Sequence, residues 1–160
     1  MDTSSFREQP VFSDIDAVAS ILKGSGFFNG QEQQVGVSLV EERLEKGEEC
    51  GYFFQFSEQN GKVLGYTCFG PIPGTQSSFD LYWIAVDNDF RGKGLGTELL
   101  NCSEREIAKR GGTRVYIETS STPLYVPTRS FYERNGYMLE AELKDYYAPG
   151  DNKLLYVKAL

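Results

Sequence analysis

Apolar and polar positions repeat with two different periods along this chain, and the switches between them outline its elements. Ile15, Val18, Ile21 and Leu22 recur at three- and four-residue spacing after Ser13, which predicts an amphipathic helix capped by Ser13 and ending at Gly24 or Gly26. Ser38 and Glu41 stand at capping-box spacing ahead of a run that Gly47 stops after Lys46, predicting a second helix. Two aromatic and β-branched runs follow, at 50–57 and 62–69. Glu58-Gln59-Asn60-Gly61 joins them, and its Asn-Gly pair suits a tight hairpin turn.

Pro71-Ile72-Pro73-Gly74 then breaks the chain, and 79–86 resumes as a strand. Residues 94–110 return to the helical period, with Leu95, Leu99 and Cys102 on one face and Leu100 and Ile107 beside it, until Gly111-Gly112. A short strand at 114–119 and a short helix at 128–135 come next, the helix stopped by Gly136. Two last strands, 137–143 and 153–160, flank a Pro149-Gly150 turn. This order mixes antiparallel neighbours with one strand–helix–strand crossover, so the expected class is α+β, a mixed sheet with helices on its faces. At 160 residues, with no repeat, low-complexity tract or linker, a single domain spanning 1–160 is expected.

Composition narrows the function. Eleven Phe and ten Tyr are too many aromatics for a disordered chain, and no stretch approaches the roughly 20 apolar residues of a membrane span. Asp2, Arg7 and Glu8, with no apolar run behind them, are unlike a signal peptide, so a cytoplasmic, non-membrane protein is expected. Cys50, Cys68 and Cys102 lack the paired spacing of disulfide frameworks or zinc sites and read as reduced thiols. Histidine is absent, which argues against hydrolase triads and most zinc enzymes; no metal is expected. A formal charge of −7 repels phosphate backbones, arguing against nucleic acid, and suits a cationic partner such as an amine.

The chemistry concentrates between the 79–86 strand and the next helix, in Arg91-Gly92-Lys93-Gly94-Leu95-Gly96-Thr97. Helix N-termini present unpaired N–H groups and a positive dipole end, and glycines let backbone reach a ligand closely. With Arg91 and Lys93 beside them, these residues predict a phosphate or pyrophosphate site. A P-loop is ruled out because the Gly-Lys-Ser/Thr ending is missing. A dinucleotide-binding turn is the competing reading, since Gly92, Gly94 and Thr97 fit its spacing except at the last glycine and Glu118 ends the next strand. That fold, however, begins with its glycine loop, whereas here a hairpin and two helices come first.

Arg91-Gly92-Lys93-Gly94-Leu95-Gly96 resembles the central signature of the GNAT superfamily of acyl-CoA N-acyltransferases: Gln or Arg, two residues, Gly, one residue, then Gly or Ala. Phe131-Tyr132-Glu133-Arg134-Asn135-Gly136-Tyr137 is similar to its second signature, a short helix with a tyrosine just before Gly-Phe or Gly-Tyr. The resemblance implies a mixed, mostly antiparallel twisted sheet flanked by about four helices. It also implies an N-acetyltransferase that moves an acetyl group from acetyl-CoA to a primary amine by direct attack in a ternary complex. Backbone near Ile84 and Val86 would pair with the pantetheine arm where two strands splay, and N–H groups from Gly92 through Leu95 and Gly96 to Thr97 would hold the pyrophosphate.

The same resemblance implies catalytic roles. Tyr132 would protonate the departing thiolate. Asp80 would take the proton from the substrate ammonium, with strand alternation putting it on the face of Tyr82, Ile84 and Val86. Glu118 is the competing base, and pairing with Arg114 or Arg129 is its structural alternative. Relatives often carry an asparagine and a small residue where this chain has Tyr125 and Arg129; Arg129 would reach a cofactor phosphate or an acidic surface residue. The acceptor pocket would involve the first two helices and the 145–151 loop, whose Asp145, Tyr146, Tyr147 and Asp151 would form an acidic, aromatic rim. A homodimer through the terminal strands is a further expectation. A catalytically inert acyl-CoA sensor stands as the alternative function.

Overall fold

The computed structural model describes residues 4–160; Asp2 of the charged N-terminus lies outside the described residues. The strands are β1 (Ser5–Arg7), β2 (Phe53–Gln59), β3 (Lys62–Pro71), β4 (Ser78–Val86), β5 (Arg114–Ser120), β6 (Met138–Ala148) and β7 (Asp151–Ala159). The helices are α1 (Asp14–Ser25), α2 (Gly30–Lys46), α3 (Leu95–Lys109) and α4 (Val126–Arg134). One seven-stranded sheet has the order β1-β2-β3-β4-β5-β7-β6, antiparallel everywhere except between β4 and β5, which α3 connects. The mixed sheet with four helices matches the expected class.

Local chemistry sets most boundaries. Asn60 and Gly61 both have positive φ, 52° and 77°, the backbone of a two-residue hairpin turn that Asn-Gly supplies without strain. Helix α1 runs to Gly26, which takes the left-handed conformation at φ 74°. Ser13 sits at its N-cap but makes no side-chain cap bond; Asp14 accepts from the Val11 N–H at 2.7 Å instead.

Helix α2 corrects the sequence reading. Its capping box is Asn29 with Glu32, so it starts well ahead of Ser38, whose hydroxyl merely donates to the Val35 carbonyl at 2.6 Å. Gly30 and Gly36 weaken the helical signal over that first stretch. Gly36 is there for packing: a Cβ would stand 2.5 Å from a Leu22 methyl carbon and 3.6 Å from the Tyr66 hydroxyl. The first hairpin strand begins at Phe53 rather than at Cys50, because residues 47–50 form a 3-10 turn. The three-residue β1, too short to show a period, escapes sequence reading; Arg7 ties it to Asp14 at 2.8 Å and to Glu58 at 2.6 Å.

Two cores cover opposite faces of the sheet. On one face α1 and α2 lay Val18, Leu22 and Val40 against Phe54, Phe56, Tyr66 and Cys68. On the other, α3 and α4 lay Leu100, Ile107 and Tyr132 against Phe69, Phe79, Leu81, Val115, Ile117 and Tyr156. Near the glycine turn Leu64, Leu95 and Leu99 make a smaller cluster on that second face.

Candidate active site

The ladder between β4 and β5 is short. Ser78, Phe79 and Asp80 pair with Arg114, Val115 and Tyr116, and beyond Asp80 the two strands part. Strand β5 instead pairs with β7 over its whole length, and β4 stays paired with β3 to Val86. A slot with unpaired backbone on both walls therefore opens in the middle of the sheet, of a kind that an extended ligand can fill like an added strand.

A β-bulge shapes one wall. Cys68 pairs with Trp83 but Phe69 pairs with Leu81, so Tyr82 is an extra residue in β4. Alternation slips there. Ile84 and Val86 face α3 and α4, packing against the clusters of those helices. Asp80, opposite Gly70, faces the side of α1 and α2, and Tyr82 lies over Gly70 and edge-on to Tyr52 at 5.5 Å. The expected common face for Asp80, Tyr82, Ile84 and Val86 is thus corrected: the bulge divides them between the two sides of the slot.

The glycine turn lies at the end of that wall. Gly92 and Gly94 have φ of 74° and 83°, which explains glycine at both; a Cβ on either would touch nothing. Gly96 is needed for space, since a Cβ would sit 3.3 Å from the Phe131 ring. The first helical bond of α3 runs from the Glu98 N–H to the Gly94 carbonyl at 3.1 Å. The six N–H groups of residues 92–97 have no acceptor among the described residues. The Lys93 ammonium lies 5.3 Å from the Phe90 ring, and the Arg91 guanidinium lies 5.1 Å from the ring of Phe27, in the loop between α1 and α2. Asn88 reinforces that link by donating to the Gly24 carbonyl. Sequence reasoning missed Phe27 and Asn88, because nothing local marks a contact across more than sixty residues.

Tyr132 is 6% exposed, inside the α3–α4 core with Ile84 packed against the same cluster. Its hydroxyl has no hydrogen-bond partner among the described residues, and burial pushes it well above an ordinary phenol, so it stays protonated. Asp80 is shifted in the same direction: burial first, then the charge of Glu118, push its carboxyl up to about 6, with Lys153 opposing. Tyr82 is likewise pushed up to about 12 by burial and by Asp80.

Glu118 is half exposed and pairs with Lys153, 2.8 Å away, rather than with Arg114 or Arg129. Arg129 turns inward: its Nη1 donates to the Ser120 and Thr122 carbonyls at 2.8 and 2.9 Å, pinning the end of β5 to α4. The acidic part of the expected rim is also spent internally. Asp145, at φ 54°, accepts from the Gly150 N–H, and Asp151 accepts from the Ser120 hydroxyl at 2.5 Å. Tyr146 and Tyr147 remain exposed. Among the described residues, no group of His, Cys, Asp and Glu is placed to hold a metal, and no helix is long and apolar enough to cross a membrane.

Comparison with known proteins agrees with this architecture. A family model described as the acetyltransferase (GNAT) family matches residues 15–137. The chain belongs to the GNAT acetyltransferases. A GNAT-family acetyltransferase structure from Desulfovibrio desulfuricans is 39% identical, with a TM-score of 0.97 over 98% of this chain and 99% of that one. The fold is shared more distantly with the ribosomal-protein-S18-alanine N-acetyltransferase of Escherichia coli (21% identity, TM-score 0.78, 98% and 94% covered). It is shared also with the PaiA N-acetyltransferase of Thermoplasma acidophilum, solved with coenzyme A (15% identity, TM-score 0.72, 98% and 99% covered). The chain is accordingly an acyltransferase, and GNAT relatives bind coenzyme A.

Proposed function

We propose that this acetyltransferase moves an acetyl group from acetyl-CoA to a primary amine, with both substrates bound together. The slot beyond Asp80 carries the reading, because β4 and β5 part there and the residues on its two sides differ. On the α3–α4 side, Ile84 and Val86 line the wall beside Tyr132, and the pantetheine arm would pair with the free backbone there. The unpaired N–H groups of 92–97, with Arg91 and Lys93, would hold the pyrophosphate.

On the opposite side Asp80 receives the amine. As an ionised carboxylate it takes the ammonium proton, and the freed amine nitrogen attacks the thioester carbonyl through the slot. When the carbon–sulfur bond breaks, Tyr132 supplies the proton for the leaving thiolate. Direct attack needs no enzyme nucleophile, and Cys68 is unsuited to be one: it is fully buried, with its thiol pushed well up by desolvation. The half-exposed Tyr82, Tyr146 and Tyr147 suit a cationic acceptor. Glu118 is assigned to pairing with Lys153 and Arg129 to holding β5, rather than to proton transfer and phosphate binding.

Titrating acetyl-CoA into the wild type and Gly94→Glu by calorimetry tests the donor half. Saturable wild-type binding that the substitution weakens about 100-fold or more supports it, since a carboxylate there repels pyrophosphate and strains φ. Equal binding by both would refute it.

A further inference from the structure

The sheet face that carries Asp80 also carries a second charge system. Asp80 pairs with Tyr116 across the last rung of the β4–β5 ladder, and Glu118 is the next residue of β5 on that face, one diagonal step away. Ser120 follows on the same face and pairs with Lys153 of β7. Lys153 is only 9% exposed, sits over the Tyr146 ring at 4.3 Å and reaches back along the sheet to Glu118 at 2.8 Å. Lysine is seldom this buried unless paired; here it closes a line of three charges, Asp80, Glu118 and Lys153, across three strands.

We propose that Lys153 and Glu118 form a charge pair that tunes the protonation of Asp80, with Lys153 a positioning residue for the acceptor side. Its consequence for turnover rests on Asp80 being the base, as argued above. The other titratable groups around Asp80 are phenols: Tyr116 across the β4–β5 ladder, Tyr82 from its own strand, Tyr52 behind Tyr82, and Tyr147 at the end of β6 near Glu118 and Lys153. Gly70, its neighbour on β3, contributes no charge. Phenols stay neutral over the range in which a carboxyl titrates, so beyond the effect of burial it is the balance of Glu118 against Lys153 that adjusts how readily Asp80 ionises. Glu118 raises the Asp80 carboxyl, and Lys153, clamped to Glu118, opposes that rise. The clamp also positions charge without filling the slot, since Glu118 is drawn away from Asp80 toward β7.

Carbon-13 NMR of protein labelled at the aspartate carboxyl carbon, with Asp80→Asn to assign the signal, reads the proposal without an acceptor. The wild-type Asp80 midpoint is expected near 6. Lys153→Met should raise it by about half a pH unit or more, Glu118→Gln should lower it by a comparable amount, and Lys153→Arg should restore it. Glu118 is half exposed, so Glu118→Gln tests the idea even if Lys153→Met folds poorly. A midpoint that moves by less than about 0.2 unit in Glu118→Gln, with Lys153→Arg no different from Lys153→Met, would overturn it. In parallel, thiol release from acetyl-CoA with tyramine as acceptor is followed in Asp80→Asn. Undiminished release there sinks the assignment of Asp80 as base, and leaves the charge pairing to stand or fall on the NMR result.

Discussion

The two sides of the slot, proposed as its donor and acceptor sides, are built in different ways. The donor side is contiguous: six consecutive residues, 92–97, offer backbone N–H groups fixed by two left-handed glycines and a helix start. The acceptor side is assembled from single side chains on separate strands, with Tyr52 ahead of β2, Asp80 and Tyr82 on β4, Glu118 on β5 and Lys153 on β7. Backbone sites survive most side-chain change, while side-chain sites are tuned by each charge in them.

The difference is best broken one side at a time. Tyr132→Phe keeps the buried ring and removes the proton donor, so turnover should fall about 10²–10⁴-fold with acetyl-CoA affinity nearly unchanged, measured by thiol release beside calorimetry. Asp80→Asn should lower turnover about 100-fold at neutral pH and abolish the rise of wild-type activity with pH through about 6, seen in a pH–rate profile.

The same residue makes a stability prediction. An unfolded aspartate ionises near 3.8 and folded Asp80 near 6, so the folded chain holds that proton more tightly. Its contribution to stability is present below the lower value and lost as pH rises through the higher one. Asp80→Asn should therefore unfold later than wild type at pH 8, by about 1–2 kcal/mol after allowance for partial exposure, and match it near pH 4. Smallest of all, Gly92→Ala forces a side chain into φ 74° and should cost about 1 kcal/mol in denaturant unfolding, with a modest loss of cofactor affinity.

Legibility in sequence follows the same division. The turn, its helix and the Tyr132 helix are local patterns, and the order of elements gave the single parallel crossover. The Asn60-Gly61 turn was equally plain. What escaped was nonlocal. One extra residue in β4 reverses the faces of everything beyond it, and no period in 79–86 announces which residue is extra. The Lys153–Glu118 pair joins positions 35 residues apart through the β5–β7 register, so Glu118 reads from sequence as a candidate base. Arg129 looked like a phosphate ligand because its true partners are backbone carbonyls, which sequence does not display.

The separation of the two sides is tested most directly by titrating acetyl-CoA into the double variant Asp80→Asn, Tyr132→Phe while following its thiol release with an amine. Wild-type affinity with turnover lost is the predicted result. Loss of cofactor binding in that variant, or retention of turnover, would contradict the division of the slot into a backbone-built donor side and a side-chain-built acceptor side.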